Sequence, residues 1–102
     1  MKINWTEPAI NDLDNIYEYI ARDSKYYAKS FTGKIFNYVE HLQDNPKIGR
    51  VVPEANERQI REIIFQKYRI IYRLHIDSIQ KITIVHSSRD IEAKKLKPWE
   101  FT

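Results

Sequence analysis

Arginine is the residue type whose number and spacing in this sequence point most clearly to chemistry. Arg69 and Arg73 lie four residues apart in a segment where apolar and polar residues alternate. In a β-strand, positions i and i+4 point to the same side, so these two guanidinium groups would share one face, about 13 Å apart. Arg61 lies in the preceding predicted strand, and Arg50 and Arg89 flank the segment. Because guanidinium groups bind phosphate through paired hydrogen bonds, this cluster predicts a surface that binds RNA or an acidic protein segment.

The same arginines have an ordinary structural alternative. Glu54, Glu57, Glu62 and Asp90 are close to them in sequence. Any single arginine is therefore expected to form an ion pair with such a neighbour. The cluster as a whole still favours a binding surface.

His86 is the candidate for acid–base chemistry. It stands at the end of the last predicted strand, and an imidazole titrates near neutral pH. A histidine that only packs at the sheet edge is the alternative. The chain has no cysteine and no histidine spacing typical of a metal site, and it lacks a glycine-rich phosphate loop. We therefore expect neither a metal nor a cofactor.

The composition is that of a folded protein, with 42% hydrophobic and 30% charged residues among 102. That length predicts a single domain over residues 1–102. The net charge is +3, and the positive excess lies in residues 49–102, which favours anionic partners or simply solubility. No apolar run approaches the ~20 residues of a membrane helix, so we expect a cytoplasmic protein with no membrane contact.

Hydrophobic periodicity predicts an α+β fold. Ile3 and Trp5 suggest a short first strand, and two amphipathic helices follow, beginning near Thr6 and Ser24 and ending by Asn45-Pro46. Residues 46–57 look irregular. The period then changes to two, and three strands over residues 60–65, 68–76 and 79–86 predict an antiparallel meander.

The predicted order is therefore β-α-α-β-β-β, with a short C-terminal helix over residues 90–97 before Pro98. Both helices can pack on one face of the sheet. The other face would then carry the arginines. An exposed edge of such a sheet, beside the helix hairpin, could bind an extended partner segment by strand addition.

Four segments in this order resemble the RelE/ParE superfamily of toxins from type II toxin–antitoxin modules. They are Gly49-Arg50-Val51-Val52-Pro53-Glu54, Ile60-Arg61-Glu62, Tyr68-Arg69-Ile70-Ile71-Tyr72-Arg73 and Val85-His86-Ser87-Ser88-Arg89-Asp90. The resemblance covers essentially the whole chain, because the first strand and helix also match. It implies a RelE/ParE-like fold and a cognate antitoxin as partner.

The superfamily contains two activities. RelE-type members cut mRNA on the ribosome, and ParE-type members inhibit DNA gyrase. For cleavage, the resemblance implies His86 and Glu54 as acid–base groups, with Arg69 and Arg89 supporting the phosphate. Arg61 falls near a further basic position of the family.

The RelE-type tyrosine in the C-terminal tail has no counterpart in Ile91-Glu92-Ala93-Lys94-Lys95-Leu96. The residues of the quoted segments resemble those of ParE-type members more than those of RelE-type members. We therefore expect a ParE-like toxin that binds DNA gyrase, with ribosome-dependent mRNA cleavage as the alternative.

Overall fold

The computed structural model describes residues 2–86 and shows a five-stranded sheet with two helices. In chain order the elements are β1 (Lys2–Ile3), α1 (Glu7–Ala21), α2 (Lys25–Glu40), a 3₁₀ turn (His41–Gln43), β2 (Arg50–Val51), β3 (Ile60–Phe65), β4 (Tyr68–Leu74) and β5 (Ser78–His86). The predicted order is confirmed, and β2 is an additional strand within the segment predicted to be irregular. The predicted C-terminal helix lies outside the described residues.

Both helices begin where the sequence predicts. The Thr6 hydroxyl accepts a hydrogen bond from the Ala9 amide at 3.4 Å, and the Ser24 hydroxyl accepts one from the Tyr27 amide at 3.1 Å. These side chains satisfy amide groups that have no partner within the first helical turn. The α-helical part of α2 ends at Glu40, earlier than predicted. The chain tightens there into a 3₁₀ turn before Pro46 can interrupt it.

The strands follow the spatial order β1-β5-β4-β3-β2. β1 pairs with β5 in parallel, whereas the other neighbours are antiparallel. The turn between β3 and β4 is Gln66-Lys67, and Gln66 adopts the left-handed φ of 52°. The β4–β5 register shifts between Ile71 and Arg73, which marks an irregularity in that ladder.

The sheet has an apolar cluster on each face. The larger one packs against the helices and includes Phe31, Ile35, Ile70, Tyr72 and Ile82. The smaller cluster lies on the opposite face and contains Val52, Ile60, Ile71 and Val85. Val52 follows β2, so the segment after β2 folds over the face that the helices leave uncovered. The position of this segment determines which arginines on that face are buried.

Candidate functional site

A buried carboxylate organises the face opposite the helices. Glu62 lies in β3, between Ile60 and Ile64 on the same side of the strand, and its side chain is 0% exposed. One oxygen accepts a hydrogen bond from Arg50 Nε at 2.6 Å, and the other accepts one from Arg69 Nε at 2.5 Å. A buried carboxylate persists only when it is paired in this way.

Arg69 connects Glu62 to a second carboxylate. Its two terminal nitrogens donate to the two oxygens of Glu54 at 2.9 and 3.0 Å, in the bidentate geometry that favours arginine. The hydrogen bonds from Arg69 lower the pKa of Glu54 below its ordinary value of 4.5, against the opposing effect of burial. The same contact raises the pKa of Arg69, so both groups stay charged at neutral pH.

Arg50, Glu62, Arg69 and Glu54 therefore form one chain of alternating charges, which we call the ionic network. Its two cations balance its two anions. Within it, the Arg69 side chain is only 11% exposed, whereas that of Arg50 is 65% exposed. The prediction of an exposed arginine face is thus wrong for Arg69, because Glu54 and Glu62 already occupy all of its guanidinium nitrogens.

Arg61 lies on the other face of the sheet, which also departs from the prediction. It pairs across strands with Tyr72, a residue of the helix-side core. Its Nη1 donates to the carbonyl oxygens of Gly49 at 2.9 Å and of Lys47 at 3.4 Å. Arg61 therefore holds the loop before β2 in place. The alternation of side chains along a strand gave a signal for the face of Arg61. Arg61 and Glu62 are adjacent, so their side chains must point to opposite sides.

Arg73 is on the same face as Arg69 but outside the ionic network. Its ion pair with Glu57 is loose, at 3.8 Å, and its side chain is 22% exposed. Among the described residues, the Nε atoms of Arg61 and Arg73 are buried and have no hydrogen-bond partner. Arg73 is thus the arginine of β4 whose terminal nitrogens are not held by a close carboxylate within the described residues.

His86 is separated from the carboxylate that the resemblance assigned to it as an acid–base partner. It pairs with Tyr68, and the two rings meet edge to face with centroids 5.3 Å apart. Tyr68 packs against Phe31 of α2, on the helix side of the sheet. Glu54 contacts Arg69 on the opposite side. Of the predicted catalytic set, the fold joins Glu54 to Arg69 but not to His86, and Arg89 lies outside the described residues.

The two edges of the sheet differ in how they are protected. At the β5 edge, β1 pairs with Ser78 and Ile79. The Asp12 carboxylate accepts a hydrogen bond from the backbone amide of Ile84 at 2.9 Å. The same Asp12 oxygen accepts the hydroxyl of Thr83 at 2.9 Å. Sequence reasoning missed Asp12, because a carboxylate on a helix gives no local sign of a contact 72 residues away.

At the opposite edge, the pairing of β2 within residues 2–86 is limited to Arg61 and Glu62 of β3, and residues 63–65 continue beyond it. A cavity of about 400 Å³ lies beside this part of β3, between the strand and the end of α2. Three of its lining residues are exposed and apolar or aromatic, namely Tyr38, Ile48 and Ile64. We call this region the β3 edge groove.

The described part of the chain contains no cluster of His, Asp or Glu that could hold a metal ion. Neither of its helices is long and apolar enough to cross a membrane.

Comparison with known proteins places these features in a family. A family model described as the ParE toxin of the type II toxin–antitoxin system parDE matches residues 3–91. A search of curated proteins found no significant match to the sequence. The chain is similar to a solved structure described as the chromosomal ParDE system from P. aeruginosa, with 26% identity and a TM-score of 0.71. That similarity covers 84% of this chain and 95% of the other. The chain belongs to the family of ParE toxins of type II toxin–antitoxin systems.

Proposed function

We propose that this ParE toxin inhibits DNA gyrase by binding to it, and that a cognate antitoxin neutralises the toxin. The observation that carries the choice of mechanism is the separation of His86 from Glu54 across the sheet. RNA cleavage through the 2′-OH requires a base and an acid within reach of one phosphate. His86 pairs with Tyr68 on the helix side and Glu54 contacts Arg69 on the opposite side, so the sheet itself lies between this acid–base pair.

The state of Glu54 also argues against the ribonuclease alternative. Its two oxygens accept hydrogen bonds from Arg69, and these lower its pKa. A carboxylate held in this way is a weak proton acceptor, and Arg69 is not available to stabilise a phosphorane. The ionic network therefore supports a structural role for Glu54 and Arg69, two of the residues that the resemblance offered as catalytic.

The antitoxin is proposed to bind at the β3 edge groove. An extended segment could pair with β3 beyond β2 and insert apolar side chains beside Ile48 and Ile64, which are 69% and 47% exposed. The β5 edge is less suited to strand addition, because β1 and Asp12 already bind its backbone. The ParDE identity of the similar solved structure supports a partner of this kind.

Induced expression in bacteria tests the mechanism. The toxin is expected to arrest growth and produce filamentous cells, and mRNA should remain intact during the first minutes. His86→Gln should act like the unaltered chain. Early codon-phased cuts in mRNA would instead establish the ribonuclease alternative.

Co-purification tests the docking site. Ile64→Glu should weaken capture of the antitoxin encoded beside the toxin gene, because a charge would be buried against the inserted segment. Ile10→Glu is the matched control, since Ile10 on α1 is exposed to the same 47%. Equal loss of antitoxin with both variants would exclude the β3 edge groove as the site.

A further inference from the structure

A second cavity lies at the end of the sheet where β3 begins and β4 ends. Its volume is about 640 Å³, and it is lined by residues from the loop before β2, the segment before β3 and the end of β4. This volume is within the range of small-molecule sites. We call it the β3–β4 end cavity.

The lining of the β3–β4 end cavity is strongly cationic. Lys47, Arg58, Arg61 and Arg73 contribute four positive charges, and Glu57 contributes one negative charge. This contrasts with the ionic network, where the charges balance. Cationic side chains gathered in a concave site raise the local concentration of anions.

Two of these arginines also have unused hydrogen-bond donors. The Nε groups of Arg61 and Arg73 are buried without a partner within the described residues, and both residues line the cavity. A buried donor without an acceptor is unfavourable, and native structures contain few of them. Glu57 does not supply the acceptor, since its 3.8 Å contact is with the Nη2 atom of Arg73. The Nε atoms themselves are closed to solvent, so the donors within reach of an anion are the terminal nitrogens, and within the described residues those of Arg73 have only the loose contact with Glu57. The cavity thus has the positive charge and the terminal guanidinium donors that an anion requires.

We propose that the β3–β4 end cavity binds a phosphate ester of about the size of a nucleotide. Phosphate has enough oxygens to accept from several guanidinium donors at once. The cavity is far larger than one phosphate group. Leu74 and Ile76 in its lining provide apolar surface for the rest of the ligand. The site is distinct from the ionic network and from the β3 edge groove.

The proposal does not rest on gyrase inhibition or on antitoxin binding. Two sources could supply the phosphate, a free nucleotide or the backbone of single-stranded DNA. The chemistry they share is a phosphate bound to a sugar. Inorganic phosphate, AMP and a short oligodeoxynucleotide can serve as separate probes.

The test is a titration of the full-length ¹⁵N-labelled chain with each probe, followed by amide chemical shifts. Inorganic phosphate should give saturable shifts in residues 57–61 and 73–76. Arg73→Gln and Arg58→Gln should each weaken binding about tenfold, as expected for loss of a charged hydrogen-bond donor. Arg58 is exposed, so its variant keeps the test valid if Arg73→Gln fails to fold.

Arg22→Gln is the control, because it removes the same charge from a residue that does not line the cavity. It should leave the affinity unchanged. Tighter binding of AMP than of phosphate would identify a free nucleotide as the source, and tighter binding of the oligonucleotide would identify a nucleic-acid backbone. Shifts that do not saturate, or that weaken equally in Arg22→Gln, would overturn the proposal.

Discussion

Arg69→Ala is predicted to be among the most destabilising single changes on the sheet face opposite the helices. The change removes three hydrogen bonds to carboxylates and leaves Glu62, which is 0% exposed, with Arg50 as its remaining partner in the ionic network. Breaking a buried ion pair by deleting one partner typically costs 3–5 kcal/mol. Because Arg50 still binds one oxygen of Glu62, we expect a loss of about 3 kcal/mol.

Urea unfolding followed by far-ultraviolet circular dichroism measures this loss. For a domain of this size, about 3 kcal/mol corresponds to a melting temperature lower by roughly 12–24 °C. Arg50→Ala is the matched control, since Arg50 donates to the same carboxylate from a side chain that is 65% exposed. Arg50→Ala leaves the buried Glu62 paired with Arg69 and removes a cation that solvent already screens, so it should cost less than Arg69→Ala, about 1–2 kcal/mol.

A double variant separates pairing from packing. Replacing Arg69 by Met and Glu62 by Leu removes the buried charges together, so most of the stability should return. The predicted importance of the buried pair is refuted if Arg69→Ala costs no more than Arg50→Ala. It is also refuted if the double variant is less stable than Arg69→Ala alone.

Three further predictions concern Glu54, Gly49 and the residues of the two mechanisms. Because Arg69 lowers the pKa of Glu54, its contribution is present above pH 4.5 and is lost as the pH falls through the lower folded value. Glu54→Gln should therefore cost about 1–2 kcal/mol at pH 7 and progressively less in urea titrations below pH 4.5. Gly49→Ala should cost about 2 kcal/mol by the same method, since a Cβ would lie 2.4 Å from the Tyr72 hydroxyl, whereas Gly33→Ala, in open space on α2, should stabilise the helix. In growth assays His86→Gln should remain toxic and Arg73→Ala should lose more toxicity, with folding checked by thermal melting.

Much of the fold could be predicted from the sequence because its signals are local. Thr6 and Ser24 cap the helices, and the change of period from 3.6 to two at Ile60 marks the start of the meander. β2 could not be predicted, because two residues carry no periodicity. The pairing of β1 with β5 joins residues more than 70 positions apart and likewise leaves no local sign.

The candidate site was predicted less well, because burial decides what an arginine does. The sequence placed Arg69 and Arg73 on one face, and the structure agrees. It could not indicate that the segment carrying Glu54 folds over Arg69, whereas Arg73 has a loose contact with Glu57 as its only ion pair in the described part of the chain. The same segment explains why Glu54 and Arg69, which the resemblance offered as catalytic residues, are paired with each other.

A supercoiling assay with purified DNA gyrase tests the proposed inhibition directly. The full-length chain and its His86→Gln variant are both predicted to inhibit supercoiling, and the antitoxin should relieve the inhibition. Unchanged supercoiling at a molar excess of toxin, together with cleavage of ribosome-bound mRNA that His86→Gln abolishes, would contradict the proposal that the toxin inhibits DNA gyrase.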